Sequence, residues 1–148
     1  MAEIGFYHLL VTPLERALPK LLERARTQGH RVVVRAGSPE RVESLSAALW
    51  TYEEAAFLPH GSVRDGHAAA QPIWLTHGDE NPNGASILVL VDGVEAEDLH
   101  SYSRCADLFD GSDADAVAAA RGRWRRAREA GHTLTYWQQT PTGWERKS

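Results

Sequence analysis

Cysteine is almost missing from this chain: Cys105 stands alone among 148 residues. One thiol excludes an internal disulfide and any metal site built from several cysteines. Long apolar runs are missing too. None approaches the roughly 20 residues of a membrane span, and no basic segment followed by an apolar stretch opens the chain. The sequence therefore predicts a cytoplasmic protein with no membrane partner. Glycine is absent where phosphate chemistry would need it. The turn after the first predicted strand reads Val11-Thr-Pro-Leu-Glu15, so no glycine lets the backbone approach a pyrophosphate. There is no P-loop and no Gly-x-Ser-x-Gly elbow.

Catalytic constellations are equally scarce. His60, His67 and His77 fall in predicted loops near Asp79. Their spacings of seven and ten residues match no compact ligand pattern, and scattered surface histidines are the expectation. Glu53-Glu54 reads as a solvated helix end. Cys105 sits in an apolar strand and reads as buried and inert. The residues thus predict no cofactor, no metal and no enzyme active site.

What is present is an ordinary globular composition, with 43% hydrophobic and 24% charged residues. That length and composition predict one domain over residues 1–148 with a real core. Net charge is −4, but it is uneven. Asp79–Asp115 holds ten acids and one base, whereas Arg121 to the end holds seven bases and two acids. Such a split suits a local site for an anionic partner better than a coat for duplex DNA.

Hydrophobic periodicity gives the element order. Ile4–Val11 reads as a strand. Leu14, Leu18, Leu21, Leu22 and Ala25 recur at helical spacing, with Gly29 as the stop. Val32-Val33-Val34 marks a second strand, and a β-α-β unit implies parallel strands. Ser38-Pro39 opens a helix to about Trp50. Phe57–His60 is an extended segment, because Leu58 precedes proline. Ile73–Thr76 is a short strand, Ile87–Val91 a central one covered on both faces, and Cys105–Phe109 another. A helix runs from Ser112 to about Ala130. Thr133–Gln138 is a final strand before a polar tail that holds Trp144. Alternating strands and helices predict an α/β sandwich with a mostly parallel sheet.

The most distinctive stretch is Arg121–Arg128, with five arginines and a tryptophan in eight residues. Residues 121, 124, 125 and 128 share one helical face. A planar ring beside guanidiniums suits an anionic group attached to something apolar. Two other readings stand beside that one. Arginines on a helix are commonly solvated surface, and Trp124 also completes a buried stripe with residues 113, 116, 117, 120 and 127. Five tryptophans exceed what periodicity assigns to the core, and tryptophan with arginine is enriched at contact surfaces.

Phe6-Tyr7, Ala48-Leu49-Trp50, Phe57-Leu58-Pro59-His60, Ile87–Val91 and Ala120-Arg121-Gly-Arg123-Trp124 running to Ala130-Gly131 occur in an order that resembles the chi subunit of bacterial DNA polymerase III holoenzyme. The resemblance covers most of the chain. It implies a Rossmann-like three-layer α/β sandwich without a nucleotide-binding loop. It implies a non-enzymatic clamp-loader accessory protein, monomeric until bound to its psi subunit, that reaches DNA only indirectly. The second implied partner is the acidic, phenylalanine-terminated tail of single-stranded DNA-binding protein. By matching positions, Arg121 would hold the tail carboxylate, Trp124 would wall the apolar slot, and Arg125 and Arg128 would attract upstream acids. The psi surface would map to Trp50, Phe57, Leu58, Pro59 and His60, where the residues alone equally allow a core edge. Two departures are visible. The loop after His60 is short of bases, and Asp110-Gly111-Ser112 stands where a hydrophobic wall is expected. The alternative function is direct binding of single-stranded nucleic acid by the arginine and tryptophan helix.

Overall fold

The computed structural model describes residues 2–51 and 59–148. Among them the chain runs β1 (Glu3–Leu9), α1 (Leu14–Thr27), β2 (Val32–Arg35), α2 (Pro39–Thr51), β3 (Ile73–Thr76), β4 (Ile87–Leu90), β5 (Arg104–Asp110), α3 (Ala114–Glu129), β6 (Thr133–Thr140) and β7 (Gly143–Arg146). The strands form one sheet in the order β3-β2-β4-β5-β1-β6-β7. Every pairing is parallel except the β6–β7 hairpin. This is the α/β sandwich with a mostly parallel sheet that the element alternation predicts.

The sheet sorts side chains by their period of two. Val32, Val34, Ile87 and Val89 join Leu18, Leu22 and Leu45 in the core under α1 and α2. Ile4, Phe6, Val33, Leu88 and Leu90 join Ala120 and Ala127 in the core under α3. β4 is buried along its whole length, because both faces are covered.

Local chemistry sets the helix ends. The Ser38 hydroxyl accepts from the Arg41 amide at 3.1 Å and caps α2. Asp113 caps α3 by accepting from the Asp115 and Ala116 amides at 2.9 and 3.4 Å. At the other end of α3, the Gly131 and His132 amides donate back to the Arg128 and Ala127 carbonyls, with Gly131 left-handed at φ 88°. That is the Schellman arrangement, and glycine supplies the conformation it needs. α1 also carries Pro19 in its interior, buried. Proline there forfeits one helical hydrogen bond.

Two expectations change. The polar tail is a strand: β7 pairs antiparallel with β6, placing Trp144 beside Gln139. His60 is buried rather than at the surface, while His67 and His77 are exposed. Among the described residues no group of three or more histidines, cysteines and acids could hold a metal, and no helix is long and apolar enough to cross a membrane.

Candidate functional site: the arginine face of α3

The five arginines of α3 divide into two groups. Arg123 turns inward, 8% exposed, and donates to both carboxylate oxygens of buried Asp107 on β5, at 2.6 and 3.0 Å. Arg126 pairs with Glu95. Arg121, Arg125 and Arg128 are exposed and have no carboxylate partner among the described residues. Helical spacing produces the division. Residues 121, 125 and 128 lie within about 60° of one another around the axis, and residues 123 and 126 point elsewhere.

Trp124 is half-buried at the border of that face. Its ring meets Phe6 edge-on at 5.3 Å and Tyr136 at 5.8 Å. Trp124 therefore packs against the core under α3, as its place in the buried stripe predicts, and is left only partly covered. Tyr136 continues the aromatic wall. Its hydroxyl lies 2.6 Å from His8 Nδ1, and Phe109 packs against both rings at 6.2 and 5.0 Å. Burial pushes the Tyr136 hydroxyl above its ordinary pKa, while the positive charge of Arg121 pulls it down. Arg121 is thus close enough to Tyr136 for the two to interact electrostatically.

Aromatic rings thus flank Trp124, although Asp110-Gly111-Ser112 offers no hydrophobic side chain. These rings come from β1, β5 and β6 instead of the loop before α3. Gly111 contributes by having no side chain, since a Cβ there would stand 2.1 Å from His8 Cδ2. Tyr136 was within reach of sequence reasoning, because Leu134 and Tyr136 alternate along β6 onto the α3 face. The Arg123–Asp107 pair carried no sequence signal; it depends on a contact between α3 and β5.

The β1–α1 turn was expected to be unable to cradle a phosphate, and the structure gives a second reason. The backbone amides of Leu10, Val11 and Thr12 all donate to Gln139 Oε1, at 3.1, 2.9 and 3.0 Å. Gln139 Nε2 in turn donates to the Thr12 hydroxyl at 2.6 Å. A glutamine from β6 thus occupies the position where converging amides would hold an anion.

Of the second predicted group, Trp50 is 54% exposed at the end of α2, and its ring lies 4.6 Å from that of His60. Pro59 is half-buried. Phe57 and Leu58 lie outside the described residues. Cys105 is 1% exposed, and burial pushes its thiol up to about 12. This is the inert cysteine that its apolar strand predicts.

With this geometry in hand, residues 1–135 match the family model described as DNA polymerase III chi subunit, HolC. The chain belongs to the DNA polymerase III chi subunit family. A probable DNA polymerase III subunit chi of Rickettsia prowazekii is 34% identical over 109 residues, covering 74% of this chain and 66% of that protein, just under two thirds of its length. The DNA polymerase III subunit chi of Pseudomonas aeruginosa is 28% identical over 115 residues, covering 78% of this chain and 79% of that protein. The chi family is one of accessory subunits of the polymerase, and the arginine face lies inside the matched region.

Proposed function

We propose that this chi-family chain is a non-catalytic adaptor that joins the clamp-loader assembly of DNA polymerase III to single-stranded DNA-binding protein. It grips the acidic, phenylalanine-terminated tail of that protein on α3. One observation carries the reading: among the described residues Arg121, Arg125 and Arg128 lack carboxylate partners, while the neighbouring Arg123 and Arg126 have them. Three uncompensated guanidiniums beside a core-anchored indole match a carboxylate attached to a phenyl ring. Arg121 takes the terminal carboxylate, Trp124 walls the phenyl slot, and Arg125 and Arg128 draw in the upstream acids. The chain works as one cytoplasmic domain and uses no cofactor.

Calorimetric titration with a tail peptide tests this. Affinity in the micromolar range, about 8 kcal/mol, is the expected result. Arg121→Ala should weaken binding at least tenfold and Arg125→Ala less. A peptide lacking its terminal phenylalanine should bind poorly. Unchanged affinity in Arg121→Ala would remove Arg121 from the site.

The exposed Trp50 supports a second contact, the one to psi. Large exposed rings beside proline suit a partner helix. The monomer docks psi through Trp50 and Pro59, together with Phe57 and Leu58, while buried His60 backs the Trp50 ring. Trp50→Ala should abolish co-purification with psi and leave tail binding intact. Loss of both would contradict two separate surfaces.

A further inference from the structure

The face of the sheet opposite α3 carries a second aromatic and basic surface that the adaptor reading does not use. Tyr7 of β1, Trp137 of β6 and Trp144 of β7 lie on neighbouring strands. A Cβ at Gly5 would fall 2.8 Å from Tyr7 Cε1, so the Tyr7 ring lies back over the bare backbone of Gly5. Trp137 leans the same way, donating its indole N–H to the Thr135 hydroxyl at 3.0 Å. Tyr7 and Trp137 are register partners, and Gly5 and Thr135 are the register pair two positions earlier. The two rings are consequently close to parallel, at 7° with centroids 6.3 Å apart, and Trp144 stands edge-on to Tyr7 at 5.2 Å. Leu134–Thr140 are all half-buried, unlike the inner strands, so the aromatic shelf is not sealed.

A cavity of about 360 Å³ runs from this shelf to α1, with Arg24 and Arg104 among its lining residues. Both guanidiniums act on the Tyr7 hydroxyl, lowering a pKa that burial raises. Neither has a carboxylate partner among the described residues. Glu3 is the acid that faces Tyr7 from the same strand. Arg146, the register partner of Trp137, lies on the same face of the hairpin.

We propose that this shelf and groove bind single-stranded nucleic acid, with bases stacking on Tyr7 and Trp137 and phosphates meeting Arg24 and Arg104. Parallel rings on adjacent strands accept successive planar groups of any sequence. Arginines beside the rings meet the charge that accompanies each base. An acidic peptide would match the charge, but a single terminal phenyl ring needs one enclosed slot, not a shelf extended across three strands.

The test is fluorescence anisotropy of a labelled oligothymidylate with the purified chain alone, beginning at about 20 mM salt. Binding is expected, with log K falling against log salt at a slope of about −1.4 for two phosphate contacts on a single strand. Arg24→Ala with Arg104→Ala should lower affinity at least tenfold. These arginines are not in the core, so the variant should keep the wild-type circular dichroism. Trp137→Ala should weaken binding and reduce the quenching of intrinsic fluorescence. Arg121→Ala should leave binding within twofold of wild type, which separates this surface from the α3 site. No binding at low salt would overturn the proposal, as would indifference to the double arginine variant. Displacement of the oligonucleotide only in Arg121→Ala, or a groove that takes an acidic peptide and no oligonucleotide, would overturn it equally.

Discussion

Single residues decide what each charge in this molecule is for. Arg123 and Arg121 are two positions apart, yet one is committed to the core and the other to solvent. Asp107, the partner of Arg123, has its carboxyl pushed up by burial, against the pull of the guanidinium. A buried pair of this kind adds little net stability, but leaving one partner alone is costly. Asp107→Asn should therefore destabilise the chain by about 3 kcal/mol or more in urea melts, and replacing both residues with leucine should recover most of the loss. A double variant as unstable as the single one would contradict that account. Arg35 at the end of β2 behaves differently. It donates to both Asp98 oxygens, at 2.7 and 2.8 Å, and holds that carboxyl below its ordinary 3.8. A depressed carboxyl contributes stability above its ordinary pKa and loses it as pH falls further. Asp98→Asn should flatten the acid limb of the stability curve below about pH 4. Cys105 has the opposite sign. Its thiol is raised from 9.0 to about 12, so stability should be independent of this group below pH 9 and fall as pH climbs from 9 towards 12. Cys105→Ala should lessen that decline, leaving the part due to buried tyrosines such as Tyr7 and Tyr102, and native Cys105 should resist alkylation at pH 8 until the chain unfolds.

At the scale of elements, the site depends on how α3 and β6 are held. Asp113 is the side-chain cap of α3, and Asp113→Ala should cost about 1 kcal/mol by chemical denaturation. β6 does two tasks: Tyr136 walls the α3 face, and Gln139 fills the β1–α1 turn. Removing the Gln139 side chain leaves three converging amides without their acceptor. Gln139→Ala should lower the melting temperature, and sulfate should restore part of it in the variant but not in the wild type. An equal sulfate effect on both would show that the turn is not an anion cradle in disguise. The periodic elements were legible in the sequence, because Leu14–Ala25 and Ile87–Val91 each satisfy one period without competition. β7 was not, since Gly143–Arg146 is short and polar and becomes a strand only by pairing with β6. The arginine face was legible because helical spacing fixes which residues share a side. The aromatic wall opposite Trp124 was not, because it joins Phe6, Phe109 and Tyr136 from three strands whose order no local pattern encodes. Gln139 carried no signal for the same reason: its partners lie more than a hundred residues away.

The whole molecule is acidic at −4 and yet gathers three arginines without a carboxylate partner among the described residues on one face of α3. On the proposed reading, an acidic tail is drawn to this face against a net repulsion from the rest of the chain. Tail affinity should fall as ionic strength rises from about 0.05 to about 0.5 M, because exposed charges are screened within a few ångströms at high salt. Salt-independent binding would mean that the phenyl slot, and not the arginines, carries the contact. The most direct test uses the five tryptophans as reporters. Their indole N–H signals in a ¹H–¹⁵N spectrum, assigned by single tryptophan-to-phenylalanine variants, can be followed while the tail peptide is added. The account predicts that Trp124 shifts with saturation and that buried Trp74 does not, with the shift lost in Arg121→Ala. A saturating shift at Trp50 or Trp137 with Trp124 unmoved would contradict the placement of the tail on α3.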